Sequence, residues 1–344
     1  MQRPLATMLI LGCAALANGW LFMAKILPTL TPGQPPGYKA LYSAGAAPRP
    51  VAWTIMLNDT VIGTAVSLAE STDDAGMIVR STLRLDQLPI EEIVPAWAKL
   101  VIGNVLNAYP TISLQAAGRM KIDEAGHLRH FQSVVQIPES DQKARLEGTI
   151  SEKNEVSVSL RAGSVVYEAS RFLPDEVTLG DELSPQATMP GLYPGRRWVV
   201  PVFSPLRPST KPLVTMFAVV EGQEPMHFDG QLINADIVCY RDAPGGHHPP
   251  RSRMWVDPRG RVLRHESVIL GSRLQFLRTT DEEAAGLVGK LANHDDHFRG
   301  FQPLQGVRPP AAEAAGKTTA KPTEPPALTS HKPAHRVEDR HDRI

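Results

Sequence analysis

Val51-Ala-Trp-Thr-Ile-Met-Leu57 runs into Asn58-Asp59 and then Val61-Ile-Gly-Thr-Ala-Val-Ser-Leu68; Asp73-Asp-Ala-Gly76 follows, and after it Met77-Ile-Val-Arg-Ser-Thr-Leu-Arg-Leu85. β-branched and large apolar residues alternate with polar ones, and Asn, Asp and Gly sit where the chain must reverse. A half-buried strand exposes every second residue to solvent, so this spacing predicts antiparallel hairpins. The same pattern predicts strands near 111–122, 127–137, 144–150, 155–161 and 164–172, and again near 213–221, 229–241, 252–257, 261–270 and 273–279. Asp123-Glu-Ala-Gly126 and Asp257-Pro-Arg-Gly260 carry turn chemistry, with Gly free to take positive φ.

One segment breaks the two-residue period. Ile90, Ile93, Val94, Trp97, Val101 and Val105 repeat at helical spacing, and Leu100, Ile102 and Leu106 widen the stripe. Pro95 is tolerated only in a first turn and Pro110 ends the pattern. A helix apolar nearly all round needs cover on more than one side. The expected fold is therefore mainly β (α+β): a curved antiparallel half-barrel sheet wrapped around one long apolar helix. Asp123-x-x-Gly126-His-Leu128-Arg-His130 echoes Asp257-x-x-Gly260-Arg-Val-Leu263-Arg-His265, which suggests two related halves.

The flanks differ from this middle. Residues 5–27 are almost entirely apolar and long enough to cross a ~30 Å hydrocarbon core. Arg3 before them favours a cytoplasmic N-terminus and an exported remainder. The expectation is a single-pass anchor in a bacterial inner membrane with the C-terminal domain in the periplasm. Two alternatives stand beside it: cleavage after Ala15-Leu16-Ala17, and lipidation of Cys13 in Ile10-Leu-Gly-Cys13. Six Pro lie between Phe22 and Pro50 and seven after Phe301, so 28–50 reads as a Pro-rich linker reaching ~25 Å. Residues 51–282 read as the half-barrel domain, 283–299 as a short helix and loop, and 300–344 as a disordered tail with too few large apolar residues to offset ordering.

Thirty-six Lys and Arg balance 36 Asp and Glu. That neutrality argues against a nucleic-acid partner, which needs a cationic face. Two cysteines support neither a disulfide framework nor a four-thiolate zinc site. His247-His248 and His294-Asp-Asp-His297 lack visible supporting ligands, and a zinc site there would need more from elsewhere. Cys239 sits in a strand pattern and reads as a buried small residue, not a nucleophile. No nucleophile elbow, phosphate-binding Gly loop or dinucleotide fingerprint occurs. The residues thus imply no catalytic group, no metal site, no cofactor and no enzyme. The least ordinary stretch is Met189-Pro-Gly-Leu-Tyr-Pro-Gly-Arg-Arg-Trp-Val-Val-Pro-Val-Phe-Ser-Pro-Leu-Arg207. Its prolines place it on an edge or over a cavity mouth, where Arg197, Trp198, Phe203 and Arg207, with Trp97 of the helix, would take an apolar ligand with an acidic head.

The order of hairpin, long strand, apolar helix and meander, ending in Trp255-Val-Asp-Pro-Arg-Gly-Arg-Val-Leu-Arg-His-Glu266, resembles the periplasmic lipoprotein-carrier-like (LolA-like) half-barrel superfamily over residues 51–282. The resemblance implies an antiparallel sheet bent round a helix and an apolar hollow that takes an acyl chain or lipoprotein. It carries over no binding residues, and the Pro-rich insert at 174–212 departs from it. Two functions follow as expectations. One is a non-catalytic, membrane-tethered periplasmic module binding a lipid-like or hydrophobic ligand. The other is an envelope scaffold with a solid core that docks a protein partner.

Overall fold

The computed structural model describes residues 2–23, 33–42, 49–89, 111–140, 142–174, 177–179, 185–203, 213–244, 249–269, 272–291, 294–298 and 301. The apolar stretch 90–110 with Trp97, the His247-His248 pair, Arg207 and nearly all of the tail lie outside the described residues.

The predicted alternation does become strands. Fifteen of them form one sheet among the described residues, in the order β8-β7-β6-β5-β4-β3-β2-β1-β15-β14-β13-β12-β11-β10-β9. They are β1 (Val51–Leu57), β2 (Thr60–Ser71), β3 (Met77–Pro89), β4 (Thr111–Ile122), β5 (Leu128–Ile137), β6 (Gln142–Ile150), β7 (Glu155–Ala162), β8 (Val165–Phe172), β9 (Thr178–Leu179), β10 (Arg197–Phe203), β11 (Leu213–Phe228), β12 (Gln231–Arg241), β13 (Ser252–Val256), β14 (Val262–Ile269) and β15 (Ser272–Arg278). The sheet is curved, unclosed and antiparallel, apart from the two-residue β9, which runs parallel to β10. The chain starts in the middle. It meanders outward from β1 to the β8 edge, crosses to the opposite edge, and meanders back until β15 pairs with β1, with Trp53 opposite Arg278 and Ile55 opposite Phe276.

Both predicted Asp-x-x-Gly turns form, and they are alike. Gly126 and Gly260 take φ of 89° and 81°. In each turn the Gly N–H donates to the Asp carbonyl, and the Asp N–H to the carbonyl four residues on, all at 2.9–3.0 Å. Asp257 also accepts from Arg261 Nε (2.7 Å), and Asp123 from Arg129 Nε (2.6 Å).

Two apolar clusters line the sheet. The first joins β1–β5 to β10–β15 around Trp53, Ile55, Met189, Trp198 and Phe276. The second lies across β3–β7 around Met120, Ile122, Phe131, Leu146 and Val158. Its Phe131 ring covers Gly148, where an added Cβ would come within 2.1 Å of the ring; only Gly lets the ring lie that close to the strand. The second cluster is capped by α2 (Tyr38–Tyr42), which buries Tyr38, Leu41 and Tyr42. Residues 33–42 are therefore not a free linker. Ala40 and Leu41 carbonyls accept from Thr188 Oγ1 (2.7 Å) and N–H (3.1 Å), and Gly33 bridges to Trp198 along the outer side of β10.

Elements also pack on the opposite face. Helix α3 (Asp281–Leu287) opens with a capping box between Thr280 and Glu283, and it buries Ala284 against Ala52 and Val66. Phe298, at the end of the 3-10 turn His294–Phe298, packs on Ala117 and Val134. Helix α1 (Gln2–Leu21) leaves Leu11, Leu16, Trp20 and Leu21 exposed. Among the described residues no helix is long and apolar enough to cross a membrane; the predicted span continues to residue 27, past the described part.

Candidate functional site

Paired residues of neighbouring strands share a face, so the registers define what lines the hollow side of the sheet. One rung runs Ser67–Ser81–Gly118–Ser133 across β2–β5. The rung beside it runs Trp53–Ala65–Leu83–Ala116. Ala65 is small, which leaves space beside the Trp53 indole. A hollow of about 40 Å³ opens there, lined by Trp53, Ser67, Ser81, Leu83, Gly118 and Pro185. At ~10–15 Å³ per water it has room for about three.

Trp53 is 1% exposed and its indole N–H has no partner. A buried donor left unpaired costs about 1–3 kcal/mol, so an acceptor beside it is favoured. The hydroxyls of Ser67, Ser81 and Ser133 stand on the adjoining rung, and Ser81 reaches the Gly118 carbonyl only at 3.5 Å. This small polar socket lies on β2–β5, of which β3, β4 and β5 carry buried members of both apolar clusters. It can hold ordered water or one acceptor group.

A second polar group sits within the first cluster. His265 accepts or donates at Nε2 with Ser252 Oγ (2.7 Å) and Ser267 Oγ (3.2 Å), and it stacks on Phe276 at 5.7 Å. Burial pushes its pKa down to about 4, and Nδ1 has no partner. A Ser–His pair that works as a nucleophile needs a carboxylate on that nitrogen to orient the imidazole; none is placed there.

Cys239 is buried as expected, yet it is not a bland filler. Its thiol donates to Glu221 Oε2 (3.0 Å), and Glu221 also pairs with Arg241. Burial first, then the Glu221 contact, push the thiol up to about 11, so it stays protonated at neutral pH. The rung of Cys239 and Arg253 adjoins that of Met254 and His265, so strand alternation puts His265 on the other face. His227 lies far along β11, opposite Leu232.

The described members of the expected ligand set, Arg197, Trp198 and Phe203, do not converge. Trp198 is buried in the first cluster, edge-on to Tyr240 at 6.0 Å, with the Arg196 guanidinium 5.2 Å from its ring. Phe203 is buried in the second cluster. Arg197 is exposed, and its carbonyl accepts from Gly33 N–H (2.6 Å). Trp97 and Arg207 lie outside the described residues. Of the three that are described, none lines the hollow. The clamp in this stretch is instead Arg196, whose guanidinium donates to the carbonyls of Gly191 (2.7 Å) and Gln34 (3.2 Å). Among the described residues no three His, Cys, Asp or Glu gather as metal ligands.

No protein-family model matches the chain, and no curated protein does. Among solved structures it is similar to a β-barrel-like protein of the domain of unknown function DUF1849 from Brucella abortus, at 10% identity and a TM-score of 0.42, covering 68% of this chain and 96% of that one. It is also similar to a DUF1089 family protein from Pseudomonas aeruginosa, at 16% identity and a TM-score of 0.28, covering 58% and 87%.

Proposed function

We propose that the protein is a non-catalytic scaffold of a bacterial envelope, held at the inner membrane by its N-terminal segment and docking a protein partner on the periplasmic side. The observation that carries this reading is close packing among the described residues. Trp53, Ile55, Met189, Trp198, Phe131 and Phe276 are each at most 2% exposed, and the hollow beside Trp53 takes water-sized groups only. A solid curved sheet offers its surfaces and edges to a partner more readily than its inside. The exposed apolar side chains of α1 support the anchor.

The free edge is the place to look. Val165, Val166 and Phe172 of β8 are exposed, Phe172 at 73%, and no described strand pairs with the outer side of β8. A photo-crosslinking amino acid at Phe172 in the full-length membrane-bound protein is expected to capture protein. The same group at Val268, exposed elsewhere on the sheet, is expected to capture far less. Equal capture at both positions, or none at either, overturns the docking reading.

The lipid-like ligand keeps one specific observation in its favour. The unpaired Trp53 N–H beside three serines suits a carbonyl or carboxylate oxygen at the end of an apolar molecule. Such a ligand would have to displace apolar packing to seat its tail.

A further inference from the structure

We infer that β8 is a self-complementary edge, and that two copies of this chain pair through it, antiparallel, with Val166 opposite Phe172 of the other copy. The inference rests on the docking reading above and names the partner.

Leu173 N–H donates to the Asn154 carbonyl (2.8 Å), and β7–β8 keeps one register from Glu155–Phe172 to Ala162–Val165 without a bulge. Hydrogen-bonded pairs alternate along an antiparallel ladder. Residues 165, 167, 169 and 171 therefore turn their backbone groups toward β7. Val166, Glu168, Ser170 and Phe172 turn theirs outward, where no described strand meets them. The usual protections of an edge are charged side chains, proline, a bulge or a covering element. β8 carries the charges of Glu168 and Arg171 but no proline and no bulge, and among the described residues nothing pairs along it. The opposite edge is treated differently: β10 carries Pro201, and Gly33 and β9 bridge to it.

A two-fold axis perpendicular to the sheet keeps the faces of both copies aligned, so only even-with-even and odd-with-odd pairings are allowed. Centring the axis on Ala169 sets Val166 opposite Phe172 twice on the exposed face, Glu168 opposite Ser170 twice, and Tyr167 opposite Arg171 twice. All four outward residues then become hydrogen-bonded pairs, and the arginine meets an aromatic ring. Sliding by one step in one direction places Glu168 against Glu168 of the other copy. Sliding the other way places Phe172 against Glu168. The sequence of β8 thus selects one register. Anchoring both copies in one membrane would raise their effective concentration.

The pairing predicts a covalent signature. Ala169 would face its own copy as a non-hydrogen-bonded pair with Cα atoms ~4.5 Å apart, within disulfide reach. In full-length protein in membranes, carrying Cys13→Ser, Ala169→Cys is expected to form a disulfide-linked dimer on mild oxidation. Ser170→Cys, one residue off the axis, is expected to remain monomeric. Adding Glu168→Pro to Ala169→Cys removes an N–H that faces only outward, so it should abolish the dimer while circular dichroism and the melting temperature stay near those of the parent. A monomeric Ala169→Cys, equal crosslinking by Ser170→Cys, or a dimer that survives Glu168→Pro with the fold intact would overturn the pairing. If Ala169→Cys stays monomeric while the crosslinker at Phe172 captures a different protein, self-pairing is wrong and docking stands; if neither reacts, both fall.

Discussion

The two clusters share strands β3, β4 and β5 but are built differently. Around Trp53 and Trp198, large aromatic rings fill the space, the Pro-rich crossover lies on top, and Arg196 ties that crossover to the N-terminal segment. Around Phe131, the strands carry Leu, Val and Met, the ring sits on a glycine, and one five-residue helix joins Leu173 and Phe203 as cover. The first cluster includes the β1–β15 seam that joins the two meanders. The second leads out to β8, along whose outer side no described strand pairs. The contrast teaches that one sheet can be covered by a long crossover at its seam and by short pieces at its far end.

The largest expected effect tests the seam side. Trp198→Ala removes a buried ring from the first cluster and should cost about 3–5 kcal/mol in chemical denaturation. A loss below about 1 kcal/mol would mean that the crossover is not packed as described.

Next is a pH effect confined to that same cluster. Burial holds the folded pKa of His265 at about 4, below its ordinary 6.5. The unfolded chain therefore takes up a proton first, so stability is intact above about pH 6.5 and is lost as pH falls toward 4, by about 3 kcal/mol in order of magnitude. Carboxylates also titrate near the lower end, so the comparison is between parent and His265→Gln. The variant should lose markedly less stability between pH 7 and pH 4; parallel curves would contradict the assignment.

The second cluster is tested by Gly148→Ala. The new methyl meets the Phe131 ring, which must move, and the expected cost is about 1–3 kcal/mol. A neutral result would show that the far end repacks freely. The smallest change concerns the link between regions. Thr188→Val removes the hydroxyl bond to the Ala40 carbonyl and should cost about 1 kcal/mol, seen also as faster amide exchange in residues 38–42.

Most strands were legible because alternation is a local property: β4, for example, occupies Thr111–Ile122, the range its pattern predicts. In the sequence the prolines of 33–42 outweigh Tyr38, Leu41 and Tyr42, although their i, i+3, i+4 spacing is a helical signal. Trp198 and Phe203 are close in sequence, which alone suggests a shared ligand. They are five apart on a strand, and an odd separation sends them to opposite sides of β10. Arg197 and Trp198 diverge for the same reason. The Trp53 socket was not legible at all, since it depends on which residues four strands bring into one rung, and register is a tertiary fact.

Native mass spectrometry of the full-length protein, released gently from membranes, tests the solid interior most directly. The expected masses are those of the polypeptide, single or paired, with nothing else bound. A stoichiometric apolar ligand that is retained by the parent, and released when Trp53 is replaced by Phe, would contradict the scaffold and favour a carrier.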